Sequence, residues 1–313
     1  MPRRKKSGRR LLSVLCVVGL LLVCAAAALH FAGEPWPANT ITAASADATA
    51  RGLPAGVKVY SGRLLLADAR SGEIICSKGA DQRAYPASLT KIMTVLAALR
   101  ECQDLDRQIT LTEQDFKGLK AQNASVAGFR SGETVTVRDL LYGAMLPSGA
   151  DAALALANHL FGSEEKMAAR MNRMAGELGM TGSHFVNVTG LHHKEHYTTA
   201  ADMNRLVREA IKDADFRKIF TAKRYTVQPT NKHPEGFTVF SSLFQNLPDG
   251  DFAGGTILGG KTGYTSDAGL CLASLAEKEG REYVLVTLGA PGDHSTQPYH
   301  IADAVTLYEN CPA

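Results

Sequence analysis

The chain has 313 residues, 45% hydrophobic and 21% charged, with 34 Lys and Arg against 31 Asp and Glu for a formal net charge of +3. This composition excludes a disordered or collagen-like polymer and supplies enough chain for a sizeable core in one or two domains. The basic excess is local, because Arg3, Arg4, Lys5, Lys6, Arg9 and Arg10 lie in an acid-free stretch over 1–32 and the remainder carries −3, which excludes a basic nucleic-acid-binding domain.

Behind those six charges, residues 11–29 form an uncharged apolar run. As a helix it would be about 28 Å long, close to the hydrocarbon thickness of a bilayer. It reads as a signal peptide, with Ala26-Ala-Ala28 as the small residues of a cleavage site, or as an uncleaved anchor. Both keep the basic end in the cytoplasm and export the chain from about residue 33. Residues 1–32 are therefore assigned to a signal peptide or membrane anchor, 33–56 to a linker rich in Ala, Thr, Pro and Ser, and 57–313 to an exported domain.

Within that domain, apolar runs at 57–66 and 73–77 around a turn at 68–72 predict two strands. Pro86 ahead of the apolar stretch to Leu99 marks a helix start, with Ser88 in its first turn. Helical periodicity covers 137–146, 150–160, 164–178 and 199–212, and Met167, Met171, Met174 and Met180 fit core positions. Strands return at 223–228, 269–275 and 283–288, before a closing helix at 298–309. Strands at both ends with helices between predict an α+β domain whose first and last strands share one antiparallel sheet. Cys76, Cys102, Cys271 and Cys311 fall in the exported part, where an even count permits disulfides; without a C-x-x-C, buried free thiols are the alternative.

Three short motifs follow one another: Ser88-Leu-Thr-Lys91, Ser148-Gly149-Ala150 and Lys261-Thr262-Gly263. A serine and a lysine three residues apart share one face of a helix, so the amine can take the hydroxyl proton. At a helix start, free N–H groups and the dipole also favour developing negative charge. Lys261-Thr-Gly263 precedes the apolar stretch to Leu275 and is expected at a strand entrance, offering a fixed positive charge, a hydroxyl and room for a peptide carboxylate. The chain carries its own controls in Ser163-Glu-Glu-Lys166 and Lys6-Ser7-Gly8, so context and order carry the inference. The cluster His192-His193-Lys-Glu-His196 lacks the H-E-x-x-H spacing of a zinc site, and no metal or cofactor is expected.

With these motifs in this order, the chain resembles the serine-type D-alanyl-D-alanine carboxypeptidases, low-molecular-mass penicillin-binding proteins of the peptidase S11 family. The likeness extends to 124–133, 139–148, 171–179, 181–187 and the Gly190-Leu-His192 and His196-Tyr-Thr198 segments, so it spans about residues 55 to 292. It implies a penicillin-binding transpeptidase or β-lactamase-like fold, an antiparallel sheet flanked by helices with a mostly helical subdomain. It further implies Ser88 as acyl-ester nucleophile, Lys91 as general base and Ser148 as proton relay. Lys261, Thr262, Gly263 and Tyr264 would bind substrate, and the backbone N–H groups of Ser88 and Tyr264 would form the oxyanion hole. The implied partners are peptidoglycan stem peptides ending in D-Ala-D-Ala, β-lactams, and the membrane through the N-terminal segment. The C-terminal β domain and membrane helix found in many relatives are not expected here, which leaves the N-terminal segment as the anchor.

One position departs from the family pattern. The middle motif usually ends in Asn, and Ala150 stands there with Asp151 next, so an amide that would bond substrate and the motif lysine is missing. Ala150 motivates a rival reading as a weak or silent cell-wall-binding or β-lactam-sensing protein. A class A β-lactamase needs a glutamate-held water, and no E-x-x-L-N-like segment lies between the second and third motifs.

Overall fold

The computed structural model describes residues 51–311. The segment 1–32 and the linker up to residue 50 lie outside the described residues. Among the described residues Arg51 already contacts the domain, its carbonyl accepting from Ser77 N at 2.6 Å.

Five long or medium strands and one short one form a single antiparallel sheet. They are β1 (Arg63–Asp68), β2 (Ile74–Lys78), β7 (Asp251–Phe252), β8 (Gly255–Thr265), β9 (Gly269–Lys278) and β10 (Arg281–Ala290), in the order β2-β1-β10-β9-β8-β7. The first strand therefore pairs with the last, as the α+β reading requires. Helices α1 (Thr90–Glu101), α2 (Val137–Met145), α3 (Ala150–Leu156), α4 (Glu164–Glu177), α5 (Ala200–Ala210) and α6 (Ala214–Phe220) lie between the N-terminal and C-terminal strands, and α7 (Tyr299–Asn310) closes the chain. Two small hairpins, β3 (Gln108–Thr110) with β4 (Thr134–Thr136) and β5 (Arg224–Val227) with β6 (Phe237–Phe240), complete the elements.

Strand periodicity sorts the core into two layers. Successive side chains point to opposite faces, so Leu64, Leu66, Tyr283 and Leu285 pack with Ile301, Leu307 and Tyr308 of α7. Leu65, Ala67, Val284 and Val286 join the larger core with α1, α2 and α5. Burial on both faces explains why these strands read as unbroken apolar runs. Met167, Met171, Met174 and Met180 lie in the larger core.

Several boundaries differ from the sequence reading. The strand expected at 57–66 begins at Arg63, because the chain just before it is claimed by α7: Tyr60 N, Ser61 N and Ser61 Oγ donate to the Asp303 carboxylate at 2.8, 2.7 and 2.6 Å. The regular part of α3 stops at Leu156 and widens into a π turn over Ala157–Phe161. Helix α6 and strand β6 were not anticipated. Neither was most of β8, since the strand was expected to begin only after the third motif. The four described cysteines are buried free thiols, which corrects the disulfide alternative. Ser163 of the second S-x-x-K caps α4, its Oγ accepting from Lys166 N at 3.3 Å, so that match is a helix start.

Candidate active site

Pro86 leads into a 3-10 turn over Ala87–Leu89 that runs directly into α1, so Ser88 stands just before the helix rather than in its first α turn. Ala87 is held at φ +47°, a left-handed conformation that costs a non-glycine residue about 1 kcal/mol or more. Two glycines press on this turn from either side. A Cβ on Gly190 would lie 1.9 Å from Ala87 O, and one on Gly263 would lie 3.0 Å from Ser88 N. Only a residue without a side chain permits the approach at Gly190, and at Gly263 a side chain would crowd the turn.

Lys91 is the second residue of the helix, with its Nζ 3.1 Å from Ser88 Oγ. The amine also donates to Thr189 O at 2.7 Å and is 2% exposed. Burial pulls its pKa down from the usual lysine value to about 7, with the Asp151 charge opposing the shift. At neutral pH a large fraction of Lys91 is therefore free amine, the form that can accept a proton from Ser88.

The third motif lies within β8, in register with β9: Lys261 opposite Ala273, Thr262 opposite Leu272 and Gly263 opposite Cys271. This corrects the expected strand-entrance position. The lysine expected to offer a fixed positive charge is buried. Lys261 is 1% exposed and donates to Thr262 O at 2.7 Å, and burial followed by the Lys91 charge drives its pKa well below the usual lysine value. The hydroxyl of Thr262, by contrast, faces the cleft and lies 2.5 Å from Ser242 Oγ.

Ser148 occupies the turn between α2 and α3 at φ +67°, and its buried Oγ has no hydrogen-bond partner among the described residues. Strain combined with an orphaned buried hydroxyl marks a group kept for something other than stability. Ala150 N donates to Ser125 O at 2.8 Å, while its methyl lines the cleft. Asp151 does not replace the missing amide, because its oxygens accept from Ala127 N at 2.8 Å and Gly128 N at 3.2 Å. Its influence on Lys91 is electrostatic only.

Ser88 lines two adjoining cavities. One, of about 290 Å³, also has Ser148, Ser242, Thr262 and His300 in its wall. The other, of about 460 Å³, has Lys91, Asn123, Ala150, Gly190 and Asp267. Tyr264 and Ser125 border both. Ser88, Lys91, Ser148, Thr262, Gly263 and Tyr264 thus meet at one cleft, with Lys261 beneath it. Sequence reasoning missed Ser125, Ser242 and the Thr189 carbonyl, none of which sits in a motif of its own.

The histidine cluster is dispersed among separate contacts. His196 is buried with Nε2 2.7 Å from Thr90 Oγ1, and Val186 N donates to its Nδ1 at 3.1 Å. Burial lowers its pKa to about 3, so it is a neutral ring. His192 instead lies 3.6 Å from the Asp267 carboxylate. Among the described residues no three His, Cys, Asp or Glu side chains gather as metal ligands would.

A serine with its own buried lysine, at the junction of two cavities beside a strand edge, is the arrangement that Ser–Lys acyl transfer requires. The chain matches the peptidase S11 family, D-alanyl-D-alanine carboxypeptidase, over residues 47–292 and belongs to that family. It is 31% identical over 254 residues to D-alanyl-D-alanine carboxypeptidase DacF of Bacillus subtilis, covering 79% of this chain and 63% of that one. A D-alanyl-D-alanine carboxypeptidase of Streptomyces sp. strain K15 is 31% identical over 274 residues, with 85% and 91% covered. The fold matches the crystal structure of the Streptomyces K15 DD-transpeptidase with a TM-score of 0.72 at 28% identity, covering 80% of this chain and 97% of that one. A D-alanyl-D-alanine carboxypeptidase from Mycobacterium tuberculosis matches with a TM-score of 0.71 at 27% identity, covering 82% and 94%.

Proposed function

We propose that the protein is a serine D,D-carboxypeptidase that removes the terminal D-alanine from peptidoglycan stem peptides through an acyl-enzyme on Ser88. The observation that carries this is the 3.1 Å contact between Ser88 Oγ and the buried amine of Lys91 at the junction of the two cavities. Lys91 takes the hydroxyl proton as Ser88 Oγ attacks the carbonyl of the penultimate residue. The oxyanion would sit against the backbone N–H groups of Ser88 and Tyr264, by analogy with the family; such a hole is worth about 3 kcal/mol per donor. Ser148 passes a proton to the leaving amine as the C–N bond breaks, and water then cleaves the ester. The Thr262 hydroxyl, steadied by Ser242, would hold the terminal carboxylate, while the buried Lys261 amine, donating to Thr262 O, would brace that stretch of strand. β-Lactams, strained mimics of this peptide, would acylate the same oxygen.

The basic and then apolar N-terminus supports a location outside the cytoplasmic membrane, secreted or tethered by residues 11–29. A second reading, a slow or silent wall-binding or β-lactam-sensing protein, is favoured by one observation: Ala150 has no amide and Asp151 is engaged by Ala127 and Gly128, so neither gives Lys91 the hydrogen bond of the family's Asn.

The test is to incubate the full chain and Ser88→Ala with a fluorescent penicillin and, separately, a D-Ala-D-Ala peptide. Persistent labelling with D-alanine release, both lost in Ser88→Ala, is the expected result. Labelling should speed up about tenfold per pH unit toward a plateau above about pH 7, as Lys91 loses its proton. Labelling without release would select the second reading, and release by Ser88→Ala would overturn the nucleophile assignment.

A further inference from the structure

The segment 186–196 grips the helix that carries the base. Thr90 Oγ1 lies 2.7 Å from His196 Nε2, Lys91 Nζ donates to Thr189 O at 2.7 Å, and Thr94 Oγ1 donates to Val188 O at 2.7 Å. At the centre of that segment Asn187 organises the backbone. Its Oδ1 accepts from Gly190 N at 2.7 Å and from Thr189 N and Thr189 Oγ1 at 3.2 Å each, while its Nδ2 donates to Leu191 O at 2.9 Å. The amide thus ties down both sides of the Thr189–Gly190 peptide, whose carbonyl meets the lysine and whose glycine abuts Ala87.

This matters more here because Ala150 contributes no amide. Among the described residues Lys91 Nζ has two hydrogen-bond partners, Ser88 Oγ and Thr189 O. An amine that donates one N–H to a fixed carbonyl can keep its lone pair on the serine; an amine without that anchor rotates freely. The charged groups acting on Lys91 are Asp151, which attracts it, and Lys261, which repels it.

We propose that Asn187 is the positioning residue for Lys91, holding the Thr189 carbonyl that aims the amine at Ser88 in place of the missing amide at 150. This rests on the proposed acylation of Ser88. The test follows labelling of the full chain by a fluorescent penicillin from about pH 5 to about pH 9 in wild type, Asn187→Ala and Asn187→Asp, with rates expressed per labelled site. Asn187→Ala should slow acylation by at least about 10-fold. Its acid limb should move to lower pH, since a buried ammonium has lost an acceptor. Asn187→Asp keeps the three acceptor bonds and should stay within about 3-fold of wild type. Its added negative charge should move the limb the opposite way, to higher pH. A purely structural role would reduce the labelled fraction and melting temperature of both variants while leaving rate per site and acid limb unchanged. That outcome, or an unchanged rate in Asn187→Ala, overturns the proposal. A wild-type chain that takes no label overturns the acylation reading instead.

Discussion

The two walls that flank Ser88 handle their polar groups in opposite ways. The wall built from residues 186–196 is internally satisfied: Asn187 makes four hydrogen bonds, His196 is engaged at both ring nitrogens, and the Thr189 carbonyl is spent on Lys91. The wall around the 147–150 turn is not. Ser148 is strained at φ +67° with an Oγ that finds no partner among the described residues, and Ala150 offers no polar side chain. The difference teaches that this site separates positioning from reaction. Satisfied groups fix where the base sits, whereas an orphaned buried hydroxyl stores free energy that a bound substrate can recover.

If that division holds, the two walls should respond differently to truncation. Ser148→Ala should lower D-alanine release by about 100-fold or more, the scale of a lost proton relay, without lowering the melting temperature, because an unpaired buried hydroxyl is removed. A fall in melting temperature with unchanged release would break the comparison from that side. Ala150→Asn sharpens it more gently: the amide would give Lys91 and the substrate a new partner, and turnover should rise by up to about 10-fold with stability changed by less than about 1 kcal/mol. Slower turnover would mean that the Thr189 carbonyl alone is the better anchor. The smallest effect belongs to the second S-x-x-K, far from either wall in role. Ser163→Ala should cost about 1 kcal/mol through its lost helix cap and leave penicillin labelling untouched, which a melting curve and a labelling gel would check.

Much of the fold was legible because its signals are local. Pro86 before an apolar run, the 3.6 periodicity of α2, α4 and α5, and the apolar runs of β9 and β10 each report short-range preferences, and all are present. Strand β8 was not legible, because its glycines serve contacts with distant chain: Gly259 lies against Phe220, Gly260 against Ala273 and Gly263 against the Ser88 turn. The shortened first strand has the same origin, a carboxylate on α7 that captures Tyr60 and Ser61.

At the site, the sequence by itself determined which side chains could react: spacing places Ser88 and Lys91 on one face, and motif order names Ser148 and Thr262 as their company. Only the tertiary structure decided their states. Burial brings Lys91 to about neutrality and turns Lys261 inward as a suppressed cation. Distant backbone supplies Thr189 O to the base and draws Asp151 away from it. Reactivity depends on solvent exclusion and on groups roughly a hundred residues away in the chain, neither of which is encoded in the spacing of neighbours.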